Sequence, residues 1–154
     1  MRRREFITLV SGAAAAWPLA AQAQQVGMKR IAVLSSIDDP VEMARYTVFR
    51  QGLQQLGWTD GVNVKIDVRS GTGDADSVRE KAAQLVALTP DVILASASAS
   101  VAALQRVTRT VPIVFANVID PVGAGFVANL AHPGGNTTGF TAFEYNLRDR
   151  KSVV

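Results

Sequence analysis

Hydroxyl and carboxylate side chains gather in four short polar segments, and each segment directly follows a predicted strand. The segments are residues 35–39, 96–100, 117–121 and 141–144. In a parallel sheet the carboxyl ends of the strands meet at one edge, and ligands bind between the loops there. Residues 96–100 also open a predicted helix, so their backbone N–H groups and serine hydroxyls suit a carboxylate or another anion. The sequence therefore predicts one polar cleft at this edge.

Two residues of these segments have competing interpretations. Ser98 either holds an anionic ligand group or only caps the helix that follows it. Asp120 either receives a ligand ammonium group or caps a short helix beyond Pro121. The residues alone leave both alternatives open.

The sequence has none of the familiar catalytic or nucleotide-binding motifs. The segment after the first strand reads LSSIDD rather than a glycine-rich fingerprint, and no P-loop or G-x-S-x-G motif is present. There is no cysteine, which excludes disulfides, thiolate metal sites and cysteine nucleophiles. The single histidine, His132, stands before a proline in a predicted turn. We therefore expect no metal, no cofactor and no catalytic residue.

The elements that must position the polar segments alternate between strand and helix. Apolar runs predict five strands, near residues 31–36, 62–68, 92–95, 113–116 and 137–140. Helices are predicted at 40–56, at 76–88, in a segment that includes Val101 to Val107, and at 123–130. The order βαβαβαβαβ predicts an α/β fold, a doubly wound parallel sheet with helices on both faces.

Local patterns predict where these elements lie. Residues 92–95 are continuously apolar, which predicts a central strand, whereas residues 62–68 alternate, which predicts an edge strand. Asp39 is the expected N-cap of the first helix, with Pro40 and Glu42 at its first and third positions. The residues expected to face the core from this helix are Val41, Ala44, Val48, Gly52, Leu53 and Leu56.

Residues 1–23 predict a cleaved export signal. Three arginines precede a short apolar stretch, and a small-x-small cleavage site follows. The start resembles a twin-arginine motif, and a Sec signal is the alternative. The residues that carry this prediction are Arg3, Arg4, Phe6, Ala21 and Ala23. We expect the mature chain to be periplasmic and soluble, without insertion into the membrane.

Charge and length limit the remaining possibilities. The chain has 154 residues, 48% of them hydrophobic and 19% charged, which indicates one folded domain rather than a disordered chain. The net charge of +3 comes from the two ends, because residues 24–148 hold eleven basic and eleven acidic residues. A neutral body predicts no nucleic-acid partner.

The last six residues, 149–154, differ from the body. They are charged and lack an apolar period. They resemble a sequencing adapter read through to a stop codon, so we expect a non-native tail and a gene that continues. The alternative is a frayed basic tail.

Five motifs resemble those of one protein family. They are GLxxLGWTDGxNV at 52–64, PDVILA at 90–95, TVPIVFA at 110–116, DPVG at 120–123 and PGGNxTGF at 133–140. In this order they resemble the periplasmic substrate-binding proteins of ABC transporters, in the group that includes tryptophan and tyrosine binders. The resemblance runs from about residue 29 to residue 147.

This resemblance implies two lobes that close on a small organic, amino-acid-like solute and deliver it to a membrane permease. Residues 24–148 would then form the first lobe. On it, the polar ligand groups would be held by serines, a cation by one aspartate, and a contact near the hinge by one threonine. These residues are Ser35, Ser36, Ser96, Ser98, Asp120 and Thr141. The family often has Gly-Thr after the third strand, whereas this chain has Ala97-Ser98.

Two other classes of protein share these features. One is a secreted α/β hydrolase or transferase whose catalytic groups lie in the missing half. The other is a ligand-sensing receptor domain, which is usually tethered to a membrane helix. The motifs favour a binding protein that is not an enzyme.

Overall fold

The computed structural model describes residues 27–141 of the chain. The strands are β1 (Lys29–Ser35), β2 (Val64–Ser70), β3 (Val92–Ser96), β4 (Ile113–Val118) and β5 (Thr137–Thr141). The helices are α1 (Pro40–Gln55), α2 (Ala75–Ala87) and α3 (Ala97–Val107). The predicted export signal, with Arg3, Arg4, Phe6, Ala21 and Ala23, and the predicted foreign tail lie outside the described residues.

The five strands form one parallel sheet in the order β2-β1-β3-β4-β5. The predicted α/β fold with a parallel sheet is confirmed. β3 is central and β2 lies at an edge, as the apolar and alternating patterns predict. Strand order reverses between β1 and β3, which is the position where sheets of this order bind ligands.

Helix α1 begins where the sequence predicts. The Asp39 carboxylate accepts hydrogen bonds from the backbone N–H groups of Val41, at 2.7 Å, and Glu42, at 2.9 Å. These two bonds satisfy donors that have no partner within the first turn. Gly57 follows the helix with φ +88, a conformation that glycine adopts without steric cost.

The hydrophobic core lies between one sheet face and helices α2 and α3. We call this side the core face. Its strand residues include Ala32, Leu34, Ile93, Ala95 and Phe115, all completely buried. Against them pack the helix residues Val78, Ala82, Leu85, Val101 and Leu104.

Helix α1 lies on the opposite face, which we call the outer face. The prediction of its apolar side is wrong for Val41, Ala44, Val48 and Leu56, which are exposed, whereas Gly52 and Leu53 are half-buried. Val48 and Leu56, expected to be buried, are 67% and 77% exposed, and no residue of the helix is fully buried. The helix turns Met43, Tyr46 and Phe49 toward the sheet instead. These three residues form a competing stripe, and its two aromatic rings offer more apolar area than the exposed Val41, Ala44 and Val48.

The predicted helix at residues 123–130 is also wrong. Residues 121–125 form turns, in which the N–H of Ala124 donates to the carbonyl of Asp120 at 2.9 Å. Gly125 has φ +76, which is incompatible with a right-handed helix. The residues before Gly125 can form only a single turn, and the hydrogen bonds of one turn do not offset the unfavourable free energy of helix nucleation.

Candidate ligand-binding site

A row of serines crosses the carboxyl edge of the sheet at the point where strand order reverses. Ser35 ends β1 and is the ladder partner of Ser96, which ends β3. Ser35 is also the partner of Ser70, which ends β2. Paired residues on neighbouring parallel strands lie about 4.8 Å apart, so the three side chains stand side by side on the outer face. The predicted convergence of Ser35 and Ser96 is therefore present, and Ser70 is a member that sequence reasoning missed.

The segment after β3 is not a loop. Helix α3 begins at Ala97, directly after the strand, and Ser96 is its N-cap residue. The interpretation of Ser98 as the cap is therefore wrong, since Ser98 lies in the first helical turn and is half-buried. The direct passage from strand to helix depends on Ala97, which has φ +69. The Ser96 side chain makes no capping hydrogen bond, so its hydroxyl is not committed to the helix.

Ser35 and Ser36 have structural partners within the described residues. The Ser35 hydroxyl lies 2.8 Å from the Ile37 carbonyl, to which it donates, and 3.3 Å from a Glu42 carboxylate oxygen. The Ser36 carbonyl accepts from the N–H of Gly73 at 3.0 Å. The bonds of the Ser35 hydroxyl use its one proton and stabilise the turn after β1. A ligand at this point would therefore meet Ser35 as an acceptor rather than as a donor.

The loops after β1 and β2 pack closely because of one glycine. A side chain on Gly71 would place its Cβ 2.6 Å from Val78 and 2.9 Å from the Ser36 carbonyl oxygen. The N–H of Gly71 donates to the Ser35 carbonyl at 3.0 Å. Glycine at this position allows the two loops to form one continuous edge.

Asp120 and Thr141 lie at the same edge, on the far side of β3. One Asp120 carboxylate oxygen accepts from the N–H of Gly123 at 2.8 Å, so the residue caps a turn rather than the predicted helix. Its side chain is exposed, which leaves the second oxygen accessible. Thr141 ends β5 and pairs with Val118 after a shift in register. The role of each in binding a ligand stays a prediction.

A cavity of about 290 Å³ lies between α1 and the outer face of the sheet. Ser35, Ser70 and Ser96 form its polar end, and Val33 and Leu94 are among the strand residues of its floor. Asn117, which the sequence analysis named only as part of a loop, stands at this end with φ +57. Asparagine tolerates this left-handed conformation better than most residues. An asparagine directly after a predicted strand was therefore the sequence feature that could have indicated Asn117.

Charged groups of α1 frame the polar end of the cavity. The Glu42 carboxylate forms an ion pair with Arg45 in addition to its contact with Ser35. The side chain of Glu42 is 14% exposed. Burial raises the pKa of the Tyr46 hydroxyl, and the nearby Arg50 guanidinium, 5.8 Å from the ring centre, opposes that shift. Tyr46 is therefore a neutral hydrogen-bond donor near neutral pH.

The described residues contain no metal-binding cluster and no helix suited to span a membrane. Between residues 27 and 141, no group of three histidine, cysteine, aspartate or glutamate side chains is placed to hold a metal ion. The backbone N–H of His132 donates to the Asn129 side chain at 2.6 Å in an exposed turn. Within the same part of the chain, no helix has the length and apolar character needed to cross a membrane.

A parallel α/β lobe with hydroxyl groups and a helix N-terminus at its switch point is the architecture of a ligand-binding domain. Residues 30–150 match the model of the ABC transporter substrate-binding protein family. The chain belongs to this family, and the resemblance seen in its motifs is confirmed.

Individual relatives agree with this assignment. A curated tyrosine-binding protein of Clostridioides difficile is 32% identical over 111 residues, which are 72% of this chain and 32% of the relative. Among solved structures, an ABC domain from Streptococcus pneumoniae in complex with L-Trp is 33% identical, with a TM-score of 0.70. A ligand-free, open substrate-binding protein of Clostridium difficile is 31% identical, with a TM-score of 0.70. Both solved comparisons cover 75% of this chain and 39% of the other, so the chain spans well under half of these relatives.

Proposed function

We propose that this chain supplies the first lobe of a two-lobe protein that captures an amino-acid-like solute for an ABC uptake transporter. The solute class that we propose is an aromatic amino acid, and the membrane partner is the transporter's permease. Residues 24–148 form the lobe, and residues 1–23 direct export to the periplasm. The protein carries out no catalysis in this proposal.

The observation that carries the proposal is the start of helix α3 beside the serine row, at the reversal of strand order. Ser96 and Ser98 stand at the start of α3, where backbone N–H groups and the helix dipole favour a carboxylate. The exposed Asp120 carboxylate is the complementary group for an ammonium. A zwitterion presents these two charges a few ångströms apart, and two relatives are described with tyrosine or L-Trp as ligand.

The test is calorimetric titration of the full-length protein with L-Trp and L-Tyr. We expect Ser98→Ala to weaken binding of the better ligand at least about tenfold, because a hydrogen bond to a charged group contributes about 1.5–3 kcal/mol. Asp120→Asn is expected to weaken it by a similar factor, since the amide cannot balance the ammonium charge.

Ser100→Ala is the matched control for Ser98→Ala. Ser100 lies in the same helix but is completely buried, and its hydroxyl has no hydrogen-bond partner among the described residues. Its removal is expected to leave the affinity unchanged. The proposal is contradicted if neither amino acid binds at millimolar concentration, or if Ser98→Ala and Asp120→Asn bind as Ser100→Ala does.

A further inference from the structure

Strand β2 forms one free edge of the sheet, because among residues 27–141 its only ladder partner is β1. In an edge strand, alternate residues direct their backbone N–H and C=O groups toward the neighbouring strand and away from it. The carbonyl of Asn63 accepts from the N–H of Lys29 at 3.2 Å, and the N–H of Gly71 donates to the Ser35 carbonyl at 3.0 Å. Odd-numbered residues of β2 therefore face β1. The residues whose backbone groups face outward are Val64, Ile66, Val68 and Ser70.

The turn that precedes β2 covers the first half of this edge. The N–H of Gly61 donates to the Val64 carbonyl at 2.8 Å, and the N–H of Val64 donates to the Thr59 carbonyl at 3.4 Å. The Asp60 side chain extends further along the edge, where one carboxylate oxygen accepts from the N–H of Ile66 at 2.9 Å. Unpaired groups on a free edge are a template for another strand, and here the turn occupies that place.

Side-chain hydrogen bonds hold this turn in position. The amide oxygen of Asn63 accepts from the N–H of Thr59 at 2.8 Å, and its NH2 group donates to the Gly57 carbonyl at 2.8 Å. Gly61 has φ +83, which glycine adopts without steric cost. Asp60 is half-buried although Thr59 and Gly61 on either side of it are exposed. The carboxylate is therefore packed along the edge rather than directed into solvent.

An arginine covers part of the second half of the edge. The guanidinium group of Arg69 donates to the Val68 carbonyl at 2.8 Å. Arg69 and Lys65 are both exposed. Charged side chains on an edge strand oppose the addition of another strand, so this half is protected as well.

Without these contacts, β2 would suit pairing with a second copy of itself. Asp67 and Arg69 project from the same face of the strand, because side chains alternate. In an antiparallel pair centred on Val68, Asp67 lies opposite Arg69 of the second copy, and opposite charges at such positions are stabilising. This pair has two-fold symmetry and closes as a dimer. It requires the outward N–H of Ile66, which Asp60 occupies.

We propose that the Asp60 carboxylate closes the free edge of β2 and prevents two copies of this protein from pairing through that strand. Because Ile66 has an acceptor within its own chain, a second strand must break an existing hydrogen bond before it can add its own. The proposal does not depend on the proposed function. Asp60 lies at the amino end of β2, whereas the serine row lies at the carboxyl end.

Asp60→Ala removes the acceptor and leaves the backbone of the turn unchanged. Sedimentation velocity of the full-length protein over a range of concentrations measures the dissociation constant of the dimer. We expect this constant to be at least about tenfold lower for Asp60→Ala than for wild type. Each copy frees one N–H, so the dimer gains two hydrogen bonds across its two-fold axis.

Asp60→Asn and Asp74→Ala are matched controls. Asparagine keeps an oxygen that accepts from Ile66, so this variant is expected to associate no more than wild type. Asp74 also accepts a backbone N–H at 2.8 Å, but at the start of α2, so Asp74→Ala reports the effect of general destabilisation. If Asp60→Ala fails to fold, Asn63→Ala releases the same turn and is expected to associate in its place.

A peptide with the sequence of residues 62–70 tests which surface is involved. We expect the fluorescein-labelled peptide to bind Asp60→Ala and not wild type, as measured by fluorescence anisotropy. The same peptide methylated on the backbone nitrogen of Val68 lacks the central donor and is expected not to bind.

Two results would overturn the proposal. The first is association of Asp60→Ala that is no stronger than that of Asp74→Ala. The second is equal binding of both peptides to Asp60→Ala, since pairing would then not run through the strand edge. Titration of the same variants with L-Trp keeps this test separate from that of the proposed function, because failure of wild type to bind L-Trp would leave the association of Asp60→Ala unchanged.

Discussion

Backbone strain in this protein is concentrated at the carboxyl edge of the sheet. Of the four described non-glycine residues with positive φ, three lie there: Ala97, Asn117 and Asp120. Asparagine and aspartate tolerate this conformation, whereas for alanine it is unfavourable by about 1–2 kcal/mol of free energy. Strained residues persist where the surrounding structure requires them, and they cluster at ligand sites. The resemblance to the family implies that glycine is frequent at the position of Ala97, and alanine adopts the left-handed conformation there at a steric cost.

Ala97→Gly is expected to stabilise the protein by about 0.5–1 kcal/mol. Glycine relieves the left-handed strain, and the gain is reduced by the greater conformational freedom of glycine in the unfolded chain. Urea unfolding measures the difference. Ala99→Gly is the control, because Ala99 lies in the same helix, is exposed and has ordinary φ, so that glycine there costs about 1 kcal/mol. Equal losses of stability in the two variants would contradict the strained geometry of Ala97.

At the scale of elements, the helix starts are the best-defined features of the fold. Asp39 caps α1, and Asp74 caps α2 by accepting from the N–H of Ser77 at 2.8 Å. The Thr72 hydroxyl and the Ser77 N–H hold the pKa of the Asp74 carboxyl below its usual value of 3.8. A folded-state pKa below the unfolded value means that Asp74 stabilises the fold above pH 3.8, and that this contribution is lost as the pH falls through the lower, folded value.

Asp74→Asn is expected to separate this charge effect from capping. Asparagine is an equally good N-cap but does not titrate, so the variant keeps the helix start at all pH values. Wild type is expected to lose stability relative to Asp74→Asn as the pH is lowered from about 5 to about 2. Chemical unfolding of both proteins across this range measures the difference in free energy. A difference that stays constant with pH would show that Asp74 has the same pKa in the folded and unfolded states.

At the scale of the whole molecule, this chain provides one wall of the proposed binding cleft. The serine row, the start of α3 and Asp120 all lie on a single open edge. A binding protein that closes around its solute makes contacts from two walls. The loss of the solute's translational and rotational freedom opposes binding only once, whether one wall or two make contact. One lobe alone therefore binds the solute more weakly than the two lobes together.

We expect this 154-residue chain to bind the solute at least a hundredfold more weakly than the full-length protein, a difference of about 2.7 kcal/mol. Calorimetry with L-Trp on both proteins measures it, with circular dichroism to establish that the shorter chain is folded. Equal affinities would place the whole site on this lobe and would exclude closure between two lobes as the binding mechanism.

The sequence alone determined the features that depend on neighbouring residues and on periodicity. Asp39, Pro40 and Glu42 define a helix start because capping is a local interaction. The alternation of β2 and the unbroken apolar run of β3 distinguish an edge from a central strand, since each reports how many faces are buried. The order of elements followed from the same local signals, and the family was indicated by the resemblance of the motifs.

Only the tertiary structure decided which surfaces meet. Helix α1 offers two apolar stripes, and the one with Tyr46 and Phe49 packs against the sheet. The side-by-side arrangement of Ser35 and Ser96 follows from strand order and register, because the two residues are far apart in the chain. The start of α3 at Ala97 depends on a backbone conformation that alanine does not favour by itself. Each of these outcomes is set by packing between distant segments, and local sequence preferences do not encode that packing.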